Sequence, residues 1–382
     1  MLNFLKQTRK FINSAEPVCI VLGNESCDLD SAVCAVTLAY HYQQQRGQTN
    51  SLSNRKTRNF LPVLNIPRRD YTLKTEVNYL FDQQSISNEY LTFRDDLQQE
   101  FLARSEFILV DHHVSPFAAR CLEVFDHRAF DEKAQLANDC KVHLELVGSC
   151  ATLIAELILE DISTTVAPDV LAMYEILFTM LRSTIVLDTV NFSESANRYT
   201  PKDVEISKKL EHLLTNSNSD KTLSERNQIF DELVAARADI SRLTAIQLLR
   251  KDLKILKNTV HNLSIAIPGF PMLVQKFIER PNAESAVKEF SEETNSAIVI
   301  LMGMLITNGN VERDLGFINL SSGELCATIQ QTLLTNTEPS LCLQQHEKCD
   351  FLNGSFYKLC NVKVTRKHIL PIVKQLLDKY QM

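Results

Sequence analysis

The stretch Val18-Cys-Ile-Val-Leu-Gly-Asn-Glu-Ser-Cys-Asp-Leu-Asp30 sets the architecture that we predict for this chain. It begins with five apolar residues, stops at a glycine, and continues into a turn that holds Asp28 and Asp30. A short apolar run bounded by a turn signal is typical of a buried strand in a parallel sheet. Residues 31–40 then have the composition of a mostly buried helix, which Asp30 or Ser31 could cap. This order of strand, acidic turn and helix predicts an α/β domain.

The same arrangement recurs three times in the first half of the chain. Each time an apolar run that we predict as a strand is followed by an acidic residue: residues 107–110 by Asp111, residues 122–125 by Asp126 and His127, and residues 184–187 by Asp188. The carboxyl ends of parallel strands lie along one edge of a sheet, which is where open α/β sheets bind their ligands. We therefore expect these side chains to lie close together: Asp28, Asp30, Asp111, His127 and Asp188.

These five residues predict a site for two divalent metal ions. Carboxylates that are forced together repel one another unless a cation compensates their charge, and paired metal ions are a common solution. Asp28 and Asp30 are two residues apart, which suits ligands of different ions, while Asp111 could bridge both. Carboxylates with a single imidazole suit Mg²⁺ or Mn²⁺. Any one of these aspartates alone would be interpreted as a cap or turn residue, so the prediction depends on their recurrence.

The length, composition and charge of the chain limit its partners. Its 382 residues correspond to about two domains, and 45% of them are hydrophobic. The formal net charge of −7 argues against nucleic-acid or anionic-membrane partners, which require a basic surface. An anionic small substrate is still compatible, because bound metal ions reverse the local charge. The longest apolar run, residues 297–306, is shorter than the roughly 20 residues that a membrane-spanning helix needs.

Cysteine usage and the first residues of the chain bear on its location. The ten cysteines include no Cys-x-x-Cys pair, which argues against a zinc ribbon or a disulfide framework and favours a reduced, cytoplasmic compartment. The first fifteen residues are basic without an acid, with Leu2, Leu5 and Ile12 at helical spacing. A mitochondrial presequence has this character, so the mitochondrial matrix is the alternative location. We favour an amphipathic helix packed on the first strand.

A polar stretch divides the chain into two predicted domains. Residues 1–205 alternate strands with helices, and residues 206–228 contain a turn-prone polar run and are predicted to be a linker. Residues 229–382 contain strand patterns among amphipathic helices, with Asn308-Gly309 as a hairpin signal. We therefore predict an α/β protein with an N-terminal parallel-sheet domain and a smaller α+β C-terminal domain.

Together, the acidic motifs resemble those of a known family. The ordered motifs of the DHH phosphoesterase superfamily are similar to Gly23-Asn-Glu-Ser-Cys-Asp-Leu-Asp-Ser31, Val110-Asp-His-His113, Asp126-His-Arg128 and Leu187-Asp-Thr-Val-Asn-Phe192. Three further segments resemble its prune and exopolyphosphatase branch more closely than the related manganese-type pyrophosphatases: residues 144–153, 248–252 and 364–371. The resemblance covers nearly the whole chain.

This resemblance implies a DHH domain that holds two metal ions, Mn²⁺ or Mg²⁺, and a DHH-associated domain that closes over phosphates. By motif, Asp28 resembles a ligand of one ion and Asp30 a ligand of the other. Asp111 resembles the bridging carboxylate, and His127 and Asp188 resemble further ligands of the second ion.

The resemblance also implies residues that act on the substrate. His112 and His113 follow the bridging motif, where contact with phosphate or with a metal ligand is expected. In motif order the paired histidines of the family correspond instead to His127 and Arg128. The phosphate-binding positions of the second domain resemble Lys251, Arg366 and Lys367.

Two positions depart from the pyrophosphatase pattern. Asn24 stands where those enzymes place a metal-binding histidine, so we group it with the substrate-binding residues and expect Mg²⁺ to compete better against Mn²⁺. Arg128 replaces the second histidine of the pair. A guanidinium can hold a phosphate with two hydrogen bonds, but it cannot transfer protons, so the rate should be affected more than binding.

The function that the resemblance implies is metal-dependent hydrolysis of short-chain inorganic polyphosphate. Asp111, His112, His113 and Arg128 are the expected catalytic residues. One alternative is a phosphodiesterase for cyclic nucleotides, which would need an apolar or aromatic pocket for the base. Another is a regulatory scaffold of low activity that binds a nucleoside diphosphate kinase.

Overall fold

The computed structural model describes most of the chain, and the described residues fall into two compact units, Met1–Asp239 and Ile240–Met382. The described ranges are 1–46, 58–162, 168–216, 225–258, 260, 262–307, 310–320, 323–347 and 350–380. Two such units confirm that the chain has a two-domain arrangement.

The first unit is built on a five-stranded parallel sheet. Its strands are β1 Val18–Leu22, β2 Asn59–Val63, β3 Glu106–Val110, β4 Cys121–Asp126 and β5 Lys141–Leu144. They pair in the order β2-β1-β3-β4-β5, with every pair parallel. This sheet confirms the predicted α/β class and the strands predicted at the acidic motifs of β1, β3 and β4.

Helices and apolar side chains cover both faces of this sheet. The helices of the first unit are α1 Leu2–Phe11, α2 Leu29–Gln45, α3 Thr75–Gln83, α4 Gln99–Arg104, α5 Cys150–Asp161, α6 Pro168–Asp188, α7 Pro201–Asn216 and α8 Arg226–Ala238. Along β1, Cys19 and Val21 pack into one core, while Val18, Ile20 and Leu22 pack into a second core on the other face. A parallel sheet needs cover on both sides because its strands are apolar on both faces.

The basic N-terminal segment forms α1, a helix packed into the first core. Phe4 and Leu5 are buried, and the ring of Phe4 lies edge-on to Tyr40 of α2 at 5.3 Å between centroids. Its strand neighbour is chiefly β2 rather than the first strand that we predicted. The mitochondrial location stays an untested alternative.

The chain before Asp188 is helical, so the strand predicted at residues 184–187 is wrong. These residues form the last turn of α6, where Ile185 and Leu187 are buried. A buried helix is apolar on all sides, and periodicity cannot distinguish a short, mostly apolar segment of such a helix from a strand. Among the described residues, no helix combines the length and the apolar character that crossing a membrane requires.

The predicted linker, residues 206–228, belongs largely to helices of the first unit. Both α7 and α8 pack against α6. They bury five side chains in its core: Ile206, Leu210, Leu214, Ile229 and Leu233. Residues 217–224 lie outside the described part of the chain. The polar run there predicted a domain boundary, whereas the first compact unit extends to Asp239.

The second unit combines a mixed sheet with helices, which confirms the predicted α+β class. Its strands are β6 Asp252–Asn258, β7 Leu263–Phe270, β8 Ile298–Thr307, β9 Asn310–Asn319, β10 Leu343–Gln345 and β11 Ser355–Leu359, and its helices are α9 Ala245–Lys251, α10 Val274–Ile278, α11 Ala283–Thr294, α12 Leu325–Thr335 and α13 Arg366–Lys379. The strand order is β10-β11-β9-β8-β7-β6, in which β7 and β8 are parallel and the other neighbours antiparallel. Thr307 lies opposite Asn310, as a hairpin requires, and the predicted turn residues 308 and 309 lie outside the described residues.

Candidate metal centre and active site

A cavity of about 400 Å³ lies at the carboxyl edge of the parallel sheet. The chain runs from β1 to β2 on one side of β1 and then to β3 on its other side. The crevice between β1 and β3 is therefore the topological switch point, where open sheets bind ligands. The residues that line the cavity are Asp28, Asp30, Asp111, His127, Arg128, Val147, Gly148, Asp188 and Arg198. The structure thus brings together all the residues predicted as metal ligands.

Asp111 lies at the centre of the polar contacts around this cavity. It follows β3 with its backbone in the left-handed region (φ 60°), and its side chain is buried. Its Oδ2 accepts hydrogen bonds from Asn24 Nδ2 at 2.7 Å and from Ser31 Oγ at 2.8 Å. Its Oδ1 lies 3.3 Å from His127 Nε2 and 2.9 Å from Arg128 Nη1. One carboxylate therefore contacts the loop after β1, helix α2 and the loop after β4.

Asp28 and Asp30 both lie at the start of α2 but have different contacts. Asp28, rather than the predicted Asp30 or Ser31, caps α2, because its Oδ1 accepts from the backbone N–H of Ser31 at 3.2 Å. Asp30 accepts from the first backbone N–H groups of α5, Cys150 at 2.7 Å and Ala151 at 2.8 Å. The start of a helix favours an anion. Here the anion is Asp30 itself, which links α2 to α5.

The ring of His127 is oriented by its hydrogen bond to the backbone. Its Nδ1 lies 3.0 Å from the carbonyl oxygen of Val147 and must carry the proton, since a carbonyl can only accept. Its Nε2 therefore faces the carboxylates, 3.3 Å from Asp111 Oδ1 and 3.9 Å from Asp30 Oδ2. This is the orientation that a metal-binding imidazole requires.

Crowding of buried negative charge shifts the pKa values of these residues. Burial, together with the charge of Asp111, raises the pKa of Asp28 and raises that of Asp30 to about 7. Burial and the charge of Asp30 raise the pKa of Asp188 well above its usual range. Burial acts to lower the pKa of His127, but its contact with Asp111 and the charge of Asp30 outweigh burial and raise it to about 9. A cation in this cavity would relieve the repulsion.

The donor atoms fit divalent cations. One ligand atom from each of Asp30, Asp111 and His127 lies within 4.8 Å of the others. The buried Oδ1 of Asp111 has no well-directed hydrogen bond among the described residues, although cationic groups lie near it. Asp28 and Asp188 add carboxylates to the same cavity. Carboxylate oxygens with one imidazole are ligands that Mg²⁺ and Mn²⁺ accept.

Asn24 holds Asp111 and does not line the cavity. Its Oδ1 accepts from the backbone N–H groups of Ser26 at 2.8 Å and Cys27 at 3.1 Å, which fixes the orientation of the amide. Its Nδ2 consequently faces Asp111. The predicted contact with substrate would require this amide to leave its partners, and it stays a prediction.

His112 and His113 also lie outside the residues that line the cavity. His113 is buried, and its Nε2 accepts from the backbone N–H of Asp131 at 2.7 Å, so its Nδ1 donates to Asp126 Oδ2 at 2.5 Å. His112 donates from Nδ1 to the carbonyl of Val110 at 3.0 Å, and burial lowers its pKa. Both ring nitrogens of His113 are thus occupied. The catalytic roles predicted for His112 and His113 stay predictions. The contacts of His113 favour a positioning role for that residue.

Asp126, which sequence reasoning left out of the site, supports its neighbours. It ends β4, is buried, and its Oδ1 accepts from the backbone N–H of His127 at 2.8 Å. The same oxygen lies 3.3 Å from Nη1 of Arg128, which also contacts Asp111. The side chain of Arg128 is about half exposed (49%) and lines the cavity, so a ligand in the cavity can reach it. This guanidinium could donate charge-assisted hydrogen bonds to a phosphate at the cavity.

The predicted phosphate-binding residues of the second unit lie near one another. Arg366, the first residue of α13, donates Nη1 to the carbonyl of Asp252 at 2.7 Å and Nη2 to its Oδ1 at 2.6 Å. Lys251 directly precedes Asp252 at the end of α9. Lys367 follows Arg366 and is exposed at the start of α13, where the helix dipole favours anions. Their phosphate binding stays a prediction.

The loop before α5 and the segment before α7 complete the cavity. Ser149 caps α5 and donates its Oγ to Asp188 Oδ2 at 2.8 Å. Gly148 is required by close packing, because a Cβ there would lie 2.5 Å from the carbonyl oxygen of Arg198 and 2.7 Å from Thr189 Cγ2. The Gly-Ser turn is visible in the sequence as a possible anion site, but Arg198 has no comparable signal.

Gly148→Ala is expected to destabilise the protein by about 1–3 kcal/mol, since the added methyl overlaps backbone that cannot rotate away. Urea denaturation followed by circular dichroism would measure the change. Gly269→Ala is the matched control, because its Cβ would come no closer than 3.3 Å to any atom, with the side-chain ends of Arg366 and Asp252 as its nearest neighbours. Equal stability of Gly148→Ala and wild type would contradict the assignment of a close-packed loop.

Comparisons with known proteins place these features in a family. The model of the DHHA2 domain matches residues 231–376. Exopolyphosphatase PRUNE1 from Homo sapiens is 32% identical over 388 residues, which cover 100% of this chain and 80% of the relative. The protein of the same name from Bos taurus is 32% identical over 393 residues with the same coverage. Among solved structures, an exopolyphosphatase-related protein from Bacteroides fragilis aligns over 100% of this chain and 97% of its own, with 14% identity and a TM-score of 0.40.

Proposed function

The chain belongs to the prune and exopolyphosphatase branch of the DHH phosphoesterases, and from that membership we propose that it hydrolyses short inorganic polyphosphates with two divalent metal ions. It is a phosphoanhydride hydrolase, as the names of its relatives indicate. One observation supports the metal-dependent mechanism above the others. Four aspartates and His127 line one cavity, where burial and the neighbouring negative charges raise the pKa values of Asp28, Asp30 and Asp188.

We assign the metal ions to the predicted ligands. Asp28, Asp30, Asp111, His127 and Asp188 would hold Mn²⁺ or Mg²⁺, and ligand atoms of Asp30, Asp111 and His127 lie within 4.8 Å of one another. Bound divalent ions supply Lewis acidity, which lowers the pKa of a coordinated water and neutralises charge on the leaving oxygen.

The side chains of the first unit orient the reacting groups. Asn24 and Ser31 fix the carboxylate of Asp111, and Asp126 fixes the loop that carries His127. Such support keeps the site preorganised, so that little reorganisation is needed during reaction. Arg128 would neutralise charge on a phosphate oxygen without moving a proton, since a guanidinium keeps its protons at every relevant pH.

The cyclic-nucleotide alternative has little support from this cavity. A nucleoside base needs an apolar or aromatic surface, and Val147 is the one apolar side chain among the residues that line the cavity. The scaffold alternative is compatible with Arg128, which suits binding better than proton transfer. Association with a nucleoside diphosphate kinase and a cytoplasmic location remain proposals.

Assays of phosphate release would test the proposed function. The purified full chain is expected to release phosphate from tripolyphosphate and tetraphosphate with Mg²⁺ or Mn²⁺. The same preparation should convert 3′,5′-cyclic AMP to AMP, measured by chromatography, at a much lower rate. Turnover of the cyclic nucleotide without turnover of tripolyphosphate would favour the phosphodiesterase. Metal-dependent binding of tripolyphosphate without any release would favour the scaffold.

A further inference from the structure

Arg198 is a cationic residue of the cavity that sequence reasoning did not identify. It lines the cavity together with Arg128 and the acidic residues, and it is exposed. Among the described residues, its guanidinium makes no ion pair or hydrogen bond. Arg128 differs, because it already contacts the carboxylates of Asp111 and Asp126. The cavity of the first unit is therefore lined by two arginines: Arg128, which is paired with carboxylates, and Arg198, which within the described ranges is not.

The backbone of Arg198 is held firmly although its side chain is available. Its carbonyl packs against Gly148, where a Cβ would lie only 2.5 Å away. The buried carboxylate of Asp203 accepts from the backbone N–H of Gly148 at 2.9 Å and from that of Thr200 at 2.7 Å. It also accepts from Thr152 Oγ1 at 2.6 Å. These bonds join the segment around Arg198 to the loop and the first turn of α5.

The charge of the cavity shows what an available guanidinium could bind. Asp28, Asp30, Asp111 and Asp188 supply four negative charges when ionised, which two divalent cations would balance. A polyphosphate then adds further negative charge that these ions no longer compensate. Arg128 is partly neutralised by the carboxylates that it contacts. A second arginine without such partners is suited to phosphoryl oxygens, which a guanidinium binds with two parallel hydrogen bonds.

We propose that Arg198 binds a phosphoryl group of the substrate that does not react, and so supplies affinity for the polyphosphate. This inference rests on the proposed function and assigns a substrate-binding residue to the same site. Arg198 touches neither the proposed metal ligands nor the reacting atoms in this assignment. Its loss should therefore act on KM, while kcat and metal binding stay near their wild-type values.

Substitution of Arg198 would test the proposal. Arg198→Gln is expected to raise KM for tripolyphosphate by about 10- to 100-fold, the cost of losing a charged hydrogen-bonding partner. It should change kcat by less than about threefold. The KM of Arg198→Lys should lie between those of wild type and Arg198→Gln, because lysine keeps the charge and loses the paired hydrogen bonds. The measurement is phosphate release across substrate concentrations with Mg²⁺.

Two further measurements separate this proposal from the proposed function. Calorimetry with imidodiphosphate and Mg²⁺ measures binding without turnover, and Arg198→Gln should bind it about tenfold or more weakly than wild type. The rise in melting temperature with Mn²⁺ alone should be equal in both proteins. Arg104→Gln is the matched control, since Arg104 is exposed at the end of α4, just before β3 and at the opposite edge of the sheet.

The outcomes distinguish a wrong assignment of Arg198 from a wrong proposed function. Wild-type protein that turns over tripolyphosphate, with unchanged KM and analogue affinity in Arg198→Gln, would overturn the role of Arg198 alone. A loss of kcat at constant KM would also overturn it. Wild-type protein that neither hydrolyses tripolyphosphate nor binds imidodiphosphate would overturn both proposals. Weaker analogue binding by Arg198→Gln would support the role of Arg198 even in a protein with negligible turnover.

Discussion

Asp111→Asn is expected to slow phosphate release from tripolyphosphate by on the order of 10³-fold. The carboxylate of Asp111 lies between His127 and Arg128, at 3.3 Å and 2.9 Å from their nearest nitrogens. In the proposed site it would hold metal together with Asp30 and His127, whose ligand atoms lie within 4.8 Å of its own. An amide is neutral and offers one oxygen, so it cannot balance the charge that the carboxylate balances. The measurement is kcat with Mg²⁺ and with Mn²⁺.

Asparagine is the informative substitution at this position. Asp111 has a φ of 60°, which asparagine tolerates and alanine does not, so Asp111→Asn changes charge without adding backbone strain. Asp139→Asn serves as the control, because Asp139 is exposed just before β5, at the amino edge of the sheet. Activity of Asp111→Asn within tenfold of the control would refute the central role assigned to this carboxylate.

Asp188→Asn is expected to have opposite effects on the metal-free and the metal-loaded protein. Without metal, removal of one charge from the crowded cavity should raise the melting temperature by about 2–4 °C, equivalent to roughly 1 kcal/mol for a domain of this size. The amide still offers an oxygen to Ser149 Oγ. With Mn²⁺ at ~100 times its Kd, wild-type protein should gain about 5–10 °C. The variant should lose most of that gain and most of its activity.

Differential scanning calorimetry with and without Mn²⁺ would measure both effects. The control Asp139→Asn should behave like wild type in both conditions. If Asp188→Asn melted below wild type without metal, the repulsion inferred from the raised pKa of Asp188 would be wrong. If it kept the full gain with Mn²⁺, Asp188 would not be a metal ligand.

Much of the parallel sheet could be predicted because each strand end is marked by an abrupt change in the sequence. The apolar runs of β1, β3 and β4 stop within one or two residues of a glycine or an acid, and the structure ends these strands at Leu22, Val110 and Asp126. The apolar segment before Asp188 also ends at an acid, but the sequence there does not separate a strand from a helix. Its four residues, Thr184 and the apolar Ile185, Val186 and Leu187, fit a strand as well as one buried turn of α6, and only packing distinguishes the two.

The supporting contacts of the site could not be predicted in the same way. The contact between Asn24 and Asp111 joins residues 87 positions apart, and that between Ser149 and Asp188 joins residues 39 apart. Such pairs depend on strand order and on helix packing, which periodicity does not specify. Arg198 lies between α6 and α7 in a segment without regular structure, where no spacing rule applies. Its place in the cavity follows from tertiary structure alone.

Asp30 shows that one side chain can serve both architecture and chemistry, and this matters for genetic experiments. Its carboxylate accepts hydrogen bonds from two backbone N–H groups of α5 and so links α2 to α5. Replacing Asp30 would leave these two buried donors without partners. Cells that carry such an allele would accumulate less protein, and a phenotype caused by low abundance would resemble one caused by lost turnover. A separation-of-function allele is better made at Asp188, whose neutral replacement preserves its contact with Ser149.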